Sequence, residues 1–189
     1  MKNKFREQIC QNYLNSCNFE KNLKNFYKKK TILITGGAGA IGSNLAISLS
    51  RLVGQKGKII VLDNLSAIRG EEPWNLPSLE NMIFVKGDIR NESDLKRVFK
   101  EKPQIVFHLA AFFANQNSVD FPENSASVDV IGQIKLLEYS TLTKVERFVY
   151  ASSGCAIYGS YPKLPLKEDF ISMHLTTPYQ INKMTGEMY

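Results

Sequence analysis

A glycine-rich segment directly after a short apolar run most constrains how this chain can fold. The run Thr31–Thr35 is rich in β-branched residues, and Gly36-Gly-Ala-Gly-Ala-Ile-Gly42 follows it and opens an apolar-periodic stretch. In a strand–loop–helix unit, Gly36 permits a tight turn, Gly39 lets the backbone approach a pyrophosphate, and Gly42 lets the helix lie close to the strand. The free N–H groups and positive dipole end of the helix then face the anion. The segment therefore predicts a dinucleotide-binding unit.

Apolar runs alternate with stretches of helical periodicity along the rest of the chain. The predicted strands are Thr31–Thr35, Lys58–Leu62, Met82–Val85, Gln104–Leu109 and Arg147–Ala151. The predicted helices are Ile41–Val53, Glu92–Lys100, Val128–Ser140 and Pro178–Tyr189. Strands that are apolar on both faces and alternate with helices favour an α/β fold with a doubly wound parallel sheet, the Rossmann arrangement. The turn-rich stretch Asn64–Asn81 has no periodicity that assigns it to either class.

The leading residues differ from the rest of the chain in charge. Residues 1–30 hold eight Lys and Arg against two Glu, a net charge of +6, whereas residues 31–189 are balanced. Apolar residues at helical spacing predict two short helices there, which pack on the domain or on a partner subunit; these residues are Phe5, Ile9, Tyr13, Leu23, Phe26 and Tyr27. Solvated lysines beside a helix explain the charge, so we expect no nucleic-acid partner. Residues 1–30 are interpreted as a basic helical extension of a Rossmann domain at residues 31–189.

Composition excludes several classes of protein. A chain of 189 residues has room for one domain with a sizeable core, and no apolar run approaches the roughly 18 residues of a membrane span. The N-terminus lacks the apolar region of a secretory signal, so we expect a cytoplasmic protein without a membrane partner. Cys10, Cys17 and Cys155 lack metal-ligand spacing, which favours reduced thiols and no metal site. Cys155 has no paired base and is interpreted as a packing residue.

An acidic residue identifies the favoured dinucleotide as NAD. Asp63 ends the second predicted strand 21 residues after Gly42. A carboxylate there accepts hydrogen bonds from the adenosine ribose hydroxyls and repels a 2′-phosphate, which favours NAD over NADP. The alternative is that Asp63 and Asn64 only form a turn. For Asp88, just past the third strand, two alternatives stay open: it caps the following helix, or it hydrogen-bonds the adenine.

A tyrosine and a lysine on the last predicted helix suggest acid–base chemistry. Tyr179 and Lys183 are four residues apart, so they share one helix face. A free tyrosine has a pKa of about 10, but a nearby ammonium and a positively charged nicotinamide favour the phenolate. The lysine can also hold the nicotinamide ribose. Because this spacing is common by chance in helices, its weight depends on the other motifs.

Together these motifs resemble the extended short-chain dehydrogenase/reductase family, in particular its NAD-dependent nucleotide-sugar epimerases and dehydratases. The matching segments, within roughly residues 30–189, are Thr35–Gly42, Val61–Asn64, Gly87–Ile89, His108–Ala111, Ala151–Ser153 with Tyr158-Gly159, and Pro178–Lys183. The cofactor-binding positions that the resemblance implies are Gly36, Gly39, Ala40, Ile41, Gly42, Asp63, Asn64, Asp88, Ile89, Leu109, Ala110, Ala111, Tyr179 and Lys183.

The resemblance also implies the catalytic residues. Tyr179 is the expected acid/base and Lys183 its electrostatic partner, while a serine after the fifth strand hydrogen-bonds the reacting oxygen. Counting forward from that strand selects Ser153, with Ser152 in reserve, whereas counting back from Tyr158-Gly159 reaches Gly154 because the loop is one residue longer than usual. We therefore expect Ser153 in this position.

Two departures from the family pattern affect the expected reaction. The family's 4,6-dehydratases usually place an Asp-Glu pair where this chain has Gly154-Cys155, so epimerisation is favoured over water elimination. Asp129 stands where relatives commonly have Asn, which leaves the local hydrogen bonding open.

The resemblance implies an NAD-dependent nucleotide-sugar epimerase that acts by hydride transfer at a sugar carbon. Whether two copies form a homodimer stays open. The family binds its sugar nucleotide in a C-terminal region that follows the Tyr…Lys helix, and this chain stops at Tyr189. We therefore expect a Rossmann fold truncated before that region. Two alternatives stay open: a dehydratase, decarboxylase or reductase of the same family, and a dinucleotide-binding remnant without turnover.

Overall fold

Five parallel strands form one sheet at the centre of the molecule. The structure is a computed structural model, which describes residues 8–9, 12–13, 15–16, 21–67, 72–113, 115–159 and 165–189. The strands are β1 (Thr31–Thr35), β2 (Lys58–Asp63), β3 (Met82–Lys86), β4 (Ile105–His108) and β5 (Arg147–Tyr150). They lie in the order β3-β2-β1-β4-β5. The order reverses beside β1, and in open parallel sheets this switch point is where ligands bind.

Helices connect the strands and cover both faces of the sheet. Among the residues described from Lys21 onward, the α-helices are α1 (Lys21–Tyr27), α2 (Ala40–Val53), α3 (Glu92–Phe99), α4 (Asn115–Asp120), α5 (Pro122–Ala126), α6 (Gln133–Leu142), α7 (Gly154–Ile157) and α8 (Pro178–Met188). A π-helix, Ser127–Gly132, joins α5 to α6. The predicted doubly wound parallel fold is confirmed, and each predicted strand lies within one residue of its observed bounds at either end.

Two apolar layers hold the sheet between its helices. On one face, α2 packs Ala46, Leu49 and Val53 against β1 and β2. On the other face, α3 and α6 pack against the alternate residues of the same strands, and Leu95 and Leu136 are fully buried there. Burial of each large apolar side chain contributes about 1.5–3 kcal/mol, so these layers hold the helices against the sheet.

Several elements differ from the sequence prediction. The predicted helix Val128–Ser140 is part of a longer helical stretch that begins at Pro122 and includes the π-helix. Helices α4, α5 and α7 were not predicted, because each is too short to show an apolar period. The edge strand β5 is not buried on both faces, since Arg147 and Val149 are exposed.

The leading segment contacts the domain through α1. The backbone N–H of Lys29 donates to the carbonyl of Val53 at 2.9 Å, and Tyr27 packs against the α2 side of the core. Ile9 and Tyr13 are helical and exposed, whereas Phe5, Cys10 and Cys17 lie outside the described residues, as does the side chain of Cys155. No helix in the described part of the chain combines the length and apolarity needed to cross a membrane.

Candidate functional site

The glycine-rich loop crosses the carboxyl ends of β1 and β4, at the switch point of the sheet. Gly36 has φ +67°, and a Cβ there would lie 2.6 Å from the backbone nitrogen of Ala110. Its own N–H donates to the carbonyl of Leu62 at 2.9 Å, which ties the loop to β2. Only glycine satisfies both the positive φ and the close approach to the β4 backbone. The predicted tight turn at Gly36 is confirmed.

The same loop begins α2 without a side-chain cap. Gly39 is the N-cap residue and forms no side-chain cap, and its N–H donates to the carbonyl of Gly36 at 3.1 Å. A Cβ at Gly42 would overlap the Gly36 carbonyl oxygen and lie 2.6 Å from the Cα of Gly37. Gly42 was predicted to let the helix lie close to the strand, whereas the close contacts observed there are with the glycine-rich loop. The backbone N–H groups of Ala40 and Ile41 lie in the first turn of α2, which has no side-chain cap. Free N–H groups in this position are suited to binding an anion.

Asp63 is fixed against this loop. One carboxylate oxygen accepts the N–H of Ala38 at 2.9 Å, and the other accepts the N–H of Leu65 at 2.8 Å. Leu65 has φ +61°, so the chain turns sharply after β2. The carboxylate is thus held at the end of β2, beside the glycine-rich loop. Its contact with ribose hydroxyls stays a prediction.

Asp88 does not cap α3, and that alternative was wrong. The N-cap is Asn91, whose side-chain oxygen accepts the N–H of Ser93 at 2.9 Å. Asn91 directly precedes the helix and so reaches its first-turn donors, as N-cap residues do. The Asp88 carboxylate instead accepts two hydrogen bonds from the Arg90 side chain and one from Asn64. These bonds, chiefly those from Arg90, lower the pKa of Asp88 to about 2.

The cofactor positions after β3 and β4 lie at the same edge of the sheet. The Ile89 side chain is buried in the core, where it fills the space beside Gly132, so only its backbone is available to a ligand. The N–H of Ala110 donates to the Thr35 hydroxyl at 3.3 Å, which joins β4 to β1 just before the glycine-rich loop. Leu109 and Ala111 flank this bond, and both are partly exposed. The predicted residues at the ends of β1, β2, β3 and β4 thus share one edge.

His108 lies below this edge as a buried neutral side chain. Its Nδ1 lies 2.8 Å from the Thr35 hydroxyl oxygen, and its ring is 1% exposed. Burial, with the positive charge of Lys183, lowers the pKa of His108 to about 3. At neutral pH the imidazole therefore carries no charge and serves packing and hydrogen bonding.

Asn75 is a contact of the glycine-rich loop that the sequence analysis missed. Its side-chain amide donates to the carbonyl of Ala38 and lies 3.3 Å from the Ser43 hydroxyl. It holds the loop from the side of the long β2–β3 connection. No period or motif in that connection could have indicated the contact.

Tyr179 and Lys183 come from the first two turns of α8. A capping box of Thr177 and Gln180 begins this helix, with Pro178 in its first turn. The Lys183 ammonium lies 5.8 Å from the centroid of the Tyr179 ring. The predicted shared helix face is therefore observed, although a catalytic role for either residue stays a prediction.

Lys183 is buried, although it is a lysine. Its side-chain nitrogen donates to the carbonyl of Ala151 at 2.8 Å and lies 4.8 Å above the Tyr150 ring. Burial lowers the pKa of Lys183, while the negative charge of Asp129 opposes that shift. A buried cation whose pKa is shifted in this way is typical of functional sites.

The two candidate serines after β5 have different surroundings. The exposed Ser152 hydroxyl donates to the Glu187 carboxylate on α8. Ser153 is half-buried, and its carbonyl accepts the N–H of Ile157 at 3.0 Å as α7 begins. The Ser152 hydroxyl is thus hydrogen-bonded to Glu187, near the C-terminal end of α8 and four residues after Lys183. Ser153 stays the predicted catalytic serine.

The structure shows the hydrogen bonds of Asp129, the residue that stands where relatives commonly have Asn. One oxygen accepts the N–H of Phe112 at 2.7 Å, and the other accepts the Ser125 hydroxyl at 3.1 Å. The Asn182 amide donates to that same hydroxyl at 2.9 Å. Asp129 is 2% exposed, and burial raises its pKa against the effect of these bonds. In both described bonds the carboxyl group of Asp129 is the acceptor, and together with Ser125 it links the β4 loop to α8.

Comparison with known protein families decides the relationship. Residues 32–189 match the family described as the NAD dependent epimerase/dehydratase family, which is most of the chain. The chain belongs to this family. Its glycine-rich loop, its β-strand ends and its Tyr179–Lys183 helix all lie within the matched residues.

Individual members of the family support the assignment. A UDP-glucose 4-epimerase of Mycolicibacterium smegmatis is 38% identical over 158 residues, which cover 83% of this chain and 49% of that protein. A solved epimerase of Methanothermobacter thermautotrophicus is 52% identical with a TM-score of 0.82, over 89% of this chain and 48% of that one. A UDP-glucose 4-epimerase of Thermus thermophilus, solved in complex with NAD, is 34% identical with a TM-score of 0.72, over 84% and 49%.

These matches also define how much of a family member is present. The chain spans about half the length of the relatives it matches. Within this span lie the five-stranded sheet described above, the glycine-rich loop and the Tyr179–Lys183 helix.

Proposed function

We propose that this chain binds NAD across the carboxyl ends of β1 and β4, as the cofactor-binding part of a nucleotide-sugar epimerase. The observation that carries the proposal is the shape of the glycine-rich loop. Side chains at Gly36 and Gly42 would collide with backbone atoms, so the loop presents bare backbone beside the start of α2. A pyrophosphate suits this position, because first-turn N–H groups and the helix dipole both favour an anion.

The adenosine end of NAD suits the surroundings of Asp63. Each oxygen of this carboxylate accepts one backbone N–H, and a carboxylate offers about four acceptor sites. The remaining sites can accept the ribose hydroxyls. A 2′-phosphate would meet the negative charge of a carboxylate that Ala38 and Leu65 hold in place. We therefore propose that NAD, rather than NADP, is the cofactor.

The chemistry that NAD supplies is the removal of hydride from a sugar carbon and its return. Tyr179 removes the proton of the neighbouring hydroxyl and later gives it back, and Ser153 hydrogen-bonds the same oxygen. Lys183 lies beside the Tyr179 ring, so its charge favours the phenolate. The Ala151 carbonyl fixes the ammonium in that position. General acid–base catalysis of this kind is worth about 10²–10⁴ in rate.

The proposed substrate class is a uridine diphosphate sugar. The names of the relatives from M. smegmatis and T. thermophilus support this class, and both proteins are 4-epimerases by name. Gly154-Cys155, in place of the acidic pair of dehydratases, favours epimerisation for this chain. Binding of NAD without turnover is the second candidate, because the chain spans about half of those relatives.

We also propose that two copies pair through α6 and α8. Ile181 and Met188 are seven residues apart on α8 and both are exposed, so they share a face. Leu142, at the end of α6, is 77% exposed. Sedimentation equilibrium of the wild type and of Ile181→Glu tests the pairing. A monomeric wild type at all concentrations would contradict it.

Titration of the chain with NAD tests the cofactor site. Lys183→Met should weaken NAD binding by about tenfold or more, since a hydrogen bond to a charged group contributes about 1.5–3 kcal/mol. Lys56→Met removes the same charge from an exposed loop and is the matched control. If Lys183→Met binds NAD as the wild type does, the proposed place of Lys183 at the nicotinamide ribose is wrong.

A further inference from the structure

Tyr150, the last residue of β5, lies between two groups of the candidate site. Its ring centroid is 4.8 Å from the Lys183 ammonium and 5.6 Å from the centroid of the His108 ring, at an interplanar angle of 34°. His108 is also its register partner on β4. The ring therefore fills the space between the buried lysine and the central strands of the sheet.

The hydroxyl of Tyr150 does not explain why a tyrosine is buried here. In the described structure this oxygen is buried and forms no hydrogen bond, although buried tyrosine hydroxyls usually find a partner. Burial, with the negative charge of Asp129, raises the pKa of Tyr150, so the phenol stays neutral. What the side chain offers its neighbours is the face of the ring.

Helix α8 is shaped to pass over this ring. A Cβ at Gly186 would overlap the Tyr150 hydroxyl oxygen and would lie 2.6 Å from Gln133 Oε1. Gln133 holds the helix at the same point, because its side-chain nitrogen donates to the Gly186 carbonyl at 2.7 Å. Gly186 is three residues after Lys183, on the same side of α8. The contact between the Lys183 ammonium and the Tyr150 ring therefore depends on the close approach of the α8 backbone, at Gly186, to the Tyr150 side chain.

The Lys183 ammonium needs this contact because it is 4% exposed. An ammonium has three N–H donors, and its hydrogen bond within the described residues goes to the Ala151 carbonyl. Desolvation of a charge is costly unless other groups replace water. The electron-rich face of an aromatic ring within about 6 Å is such a group.

We propose that Tyr150 is a positioning residue, whose ring face holds the Lys183 ammonium beside Tyr179 and the proposed position of the nicotinamide ribose. The proposal rests on the proposed function for its effect on NAD, but the contact itself can be tested without NAD. The ring acts through Lys183 and touches neither cofactor nor substrate. Loss of the ring frees the ammonium to adopt other rotamers, which weakens whatever Lys183 binds.

Two substitutions separate the ring from the hydroxyl. Tyr150→Phe keeps the ring and removes only the buried unpaired oxygen, so NAD binding should stay within about twofold of the wild type. Tyr150→Leu removes the ring face, and NAD affinity should fall by about 2- to 30-fold, the range expected for a cation–π contact. Phe148→Leu is the matched control, since Phe148 lies on the same face of β5, 6.0 Å from the His108 ring, and has no contact with Lys183 among the described ones.

The second measurement observes Lys183 directly and needs no ligand. In protein labelled with [¹³C]lysine, the side-chain signal that Lys183→Met removes identifies Lys183. A lysine above a ring is shifted upfield by the ring current, so this signal should be upfield of the exposed lysines in wild type and Tyr150→Phe. In Tyr150→Leu the signal should move toward those of the exposed lysines, because, of the ring contacts described for Lys183, only the more distant Tyr179 ring, 5.8 Å away, remains. In Phe148→Leu it should stay as in the wild type.

The outcomes separate this proposal from the proposed function. A Lys183 signal that lies with the exposed lysines in the wild type overturns the positioning role, even if Tyr150→Leu fails to fold. Equal NAD affinity in Tyr150→Leu and wild type also overturns it, and leaves the cofactor proposal intact. Absence of NAD binding in the wild type overturns the proposed function, and the lysine spectrum still decides the role of Tyr150.

Discussion

Replacing Gly36 with alanine tests whether the glycine-rich loop is shaped by contact with β4. At φ +67° an alanine is strained, which costs on the order of 1–3 kcal/mol. The added Cβ would also lie 2.6 Å from the Ala110 nitrogen and 2.7 Å from the Leu109 carbonyl carbon, and neither backbone atom can rotate away. Overpacking of this kind costs about 1–3 kcal/mol more. We expect Gly36→Ala to lower the free energy of unfolding by about 2–6 kcal/mol.

Gly54→Ala separates the steric effect from the backbone strain. Gly54 has φ +69°, nearly that of Gly36, but a Cβ there meets no atom within 4 Å. In Gly54→Ala the free energy of unfolding should fall by the backbone strain alone, about 1–3 kcal/mol. Because Gly54 follows α2 at its far end, NAD affinity should be unchanged, whereas folded Gly36→Ala should bind NAD at least tenfold more weakly, about 1.4 kcal/mol.

Urea unfolding and NAD titration of both variants supply the measurements. Linear extrapolation gives the free energies of unfolding, and titration under conditions where each variant is folded gives the affinities. If Gly36→Ala and Gly54→Ala are equally destabilised and bind NAD equally well, the contact between the loop and β4 does not shape the cofactor site.

Three further predictions concern the mechanism, the leading segment and the effect of pH. In any longer form of the protein that turns over a nucleotide sugar, Tyr179→Phe should lower turnover about 10²–10⁴-fold with little change in NAD affinity. Ser153→Ala should cost less than this but more than Ser152→Ala, and the reverse order of the serines would show that the forward count from β5 was wrong. Deletion of residues 1–30 should change solubility or self-association and keep the preference for NAD, whereas a folded deletion that no longer binds NAD would show that the segment belongs to the site. Because burial lowers the pKa of His108 from 6.5 to about 3, the unfolded chain binds a proton that the folded chain does not, so stability should fall as pH drops below about 6.5. Unfolding of wild type and His108→Phe at pH 7 and pH 5 checks this, and equal losses in both would exclude His108 as the cause.

The glycine-rich loop was predictable because its key positions each have a steric or electrostatic requirement that one residue type satisfies. A Cβ at Gly36 or Gly42 would overlap backbone atoms, and Asp63 is the last residue of β2, at the carboxyl end of the sheet. The central strands β1, β2 and β4 were predictable because buried parallel strands form continuous apolar runs.

What the sequence could not indicate depends on contacts between distant segments. Asn75 reaches the glycine-rich loop from a connection without periodicity, and Tyr150 meets Lys183 only because α8 folds back over β5. The choice between capping and ligand contact for Asp88 depended on Asn91, a better-placed cap. Such contacts are set by tertiary packing, which spacing along the chain does not encode.

Parallel titration of the chain with NAD and NADP measures the cofactor preference that Asp63 is proposed to set. Asp63, held at the end of β2 by Ala38 and Leu65, would repel the 2′-phosphate that distinguishes NADP. We expect NAD to bind at least tenfold more tightly than NADP, a difference of about 1.4 kcal/mol. Equal or tighter binding of NADP, or no binding of either dinucleotide by the folded chain, would contradict it.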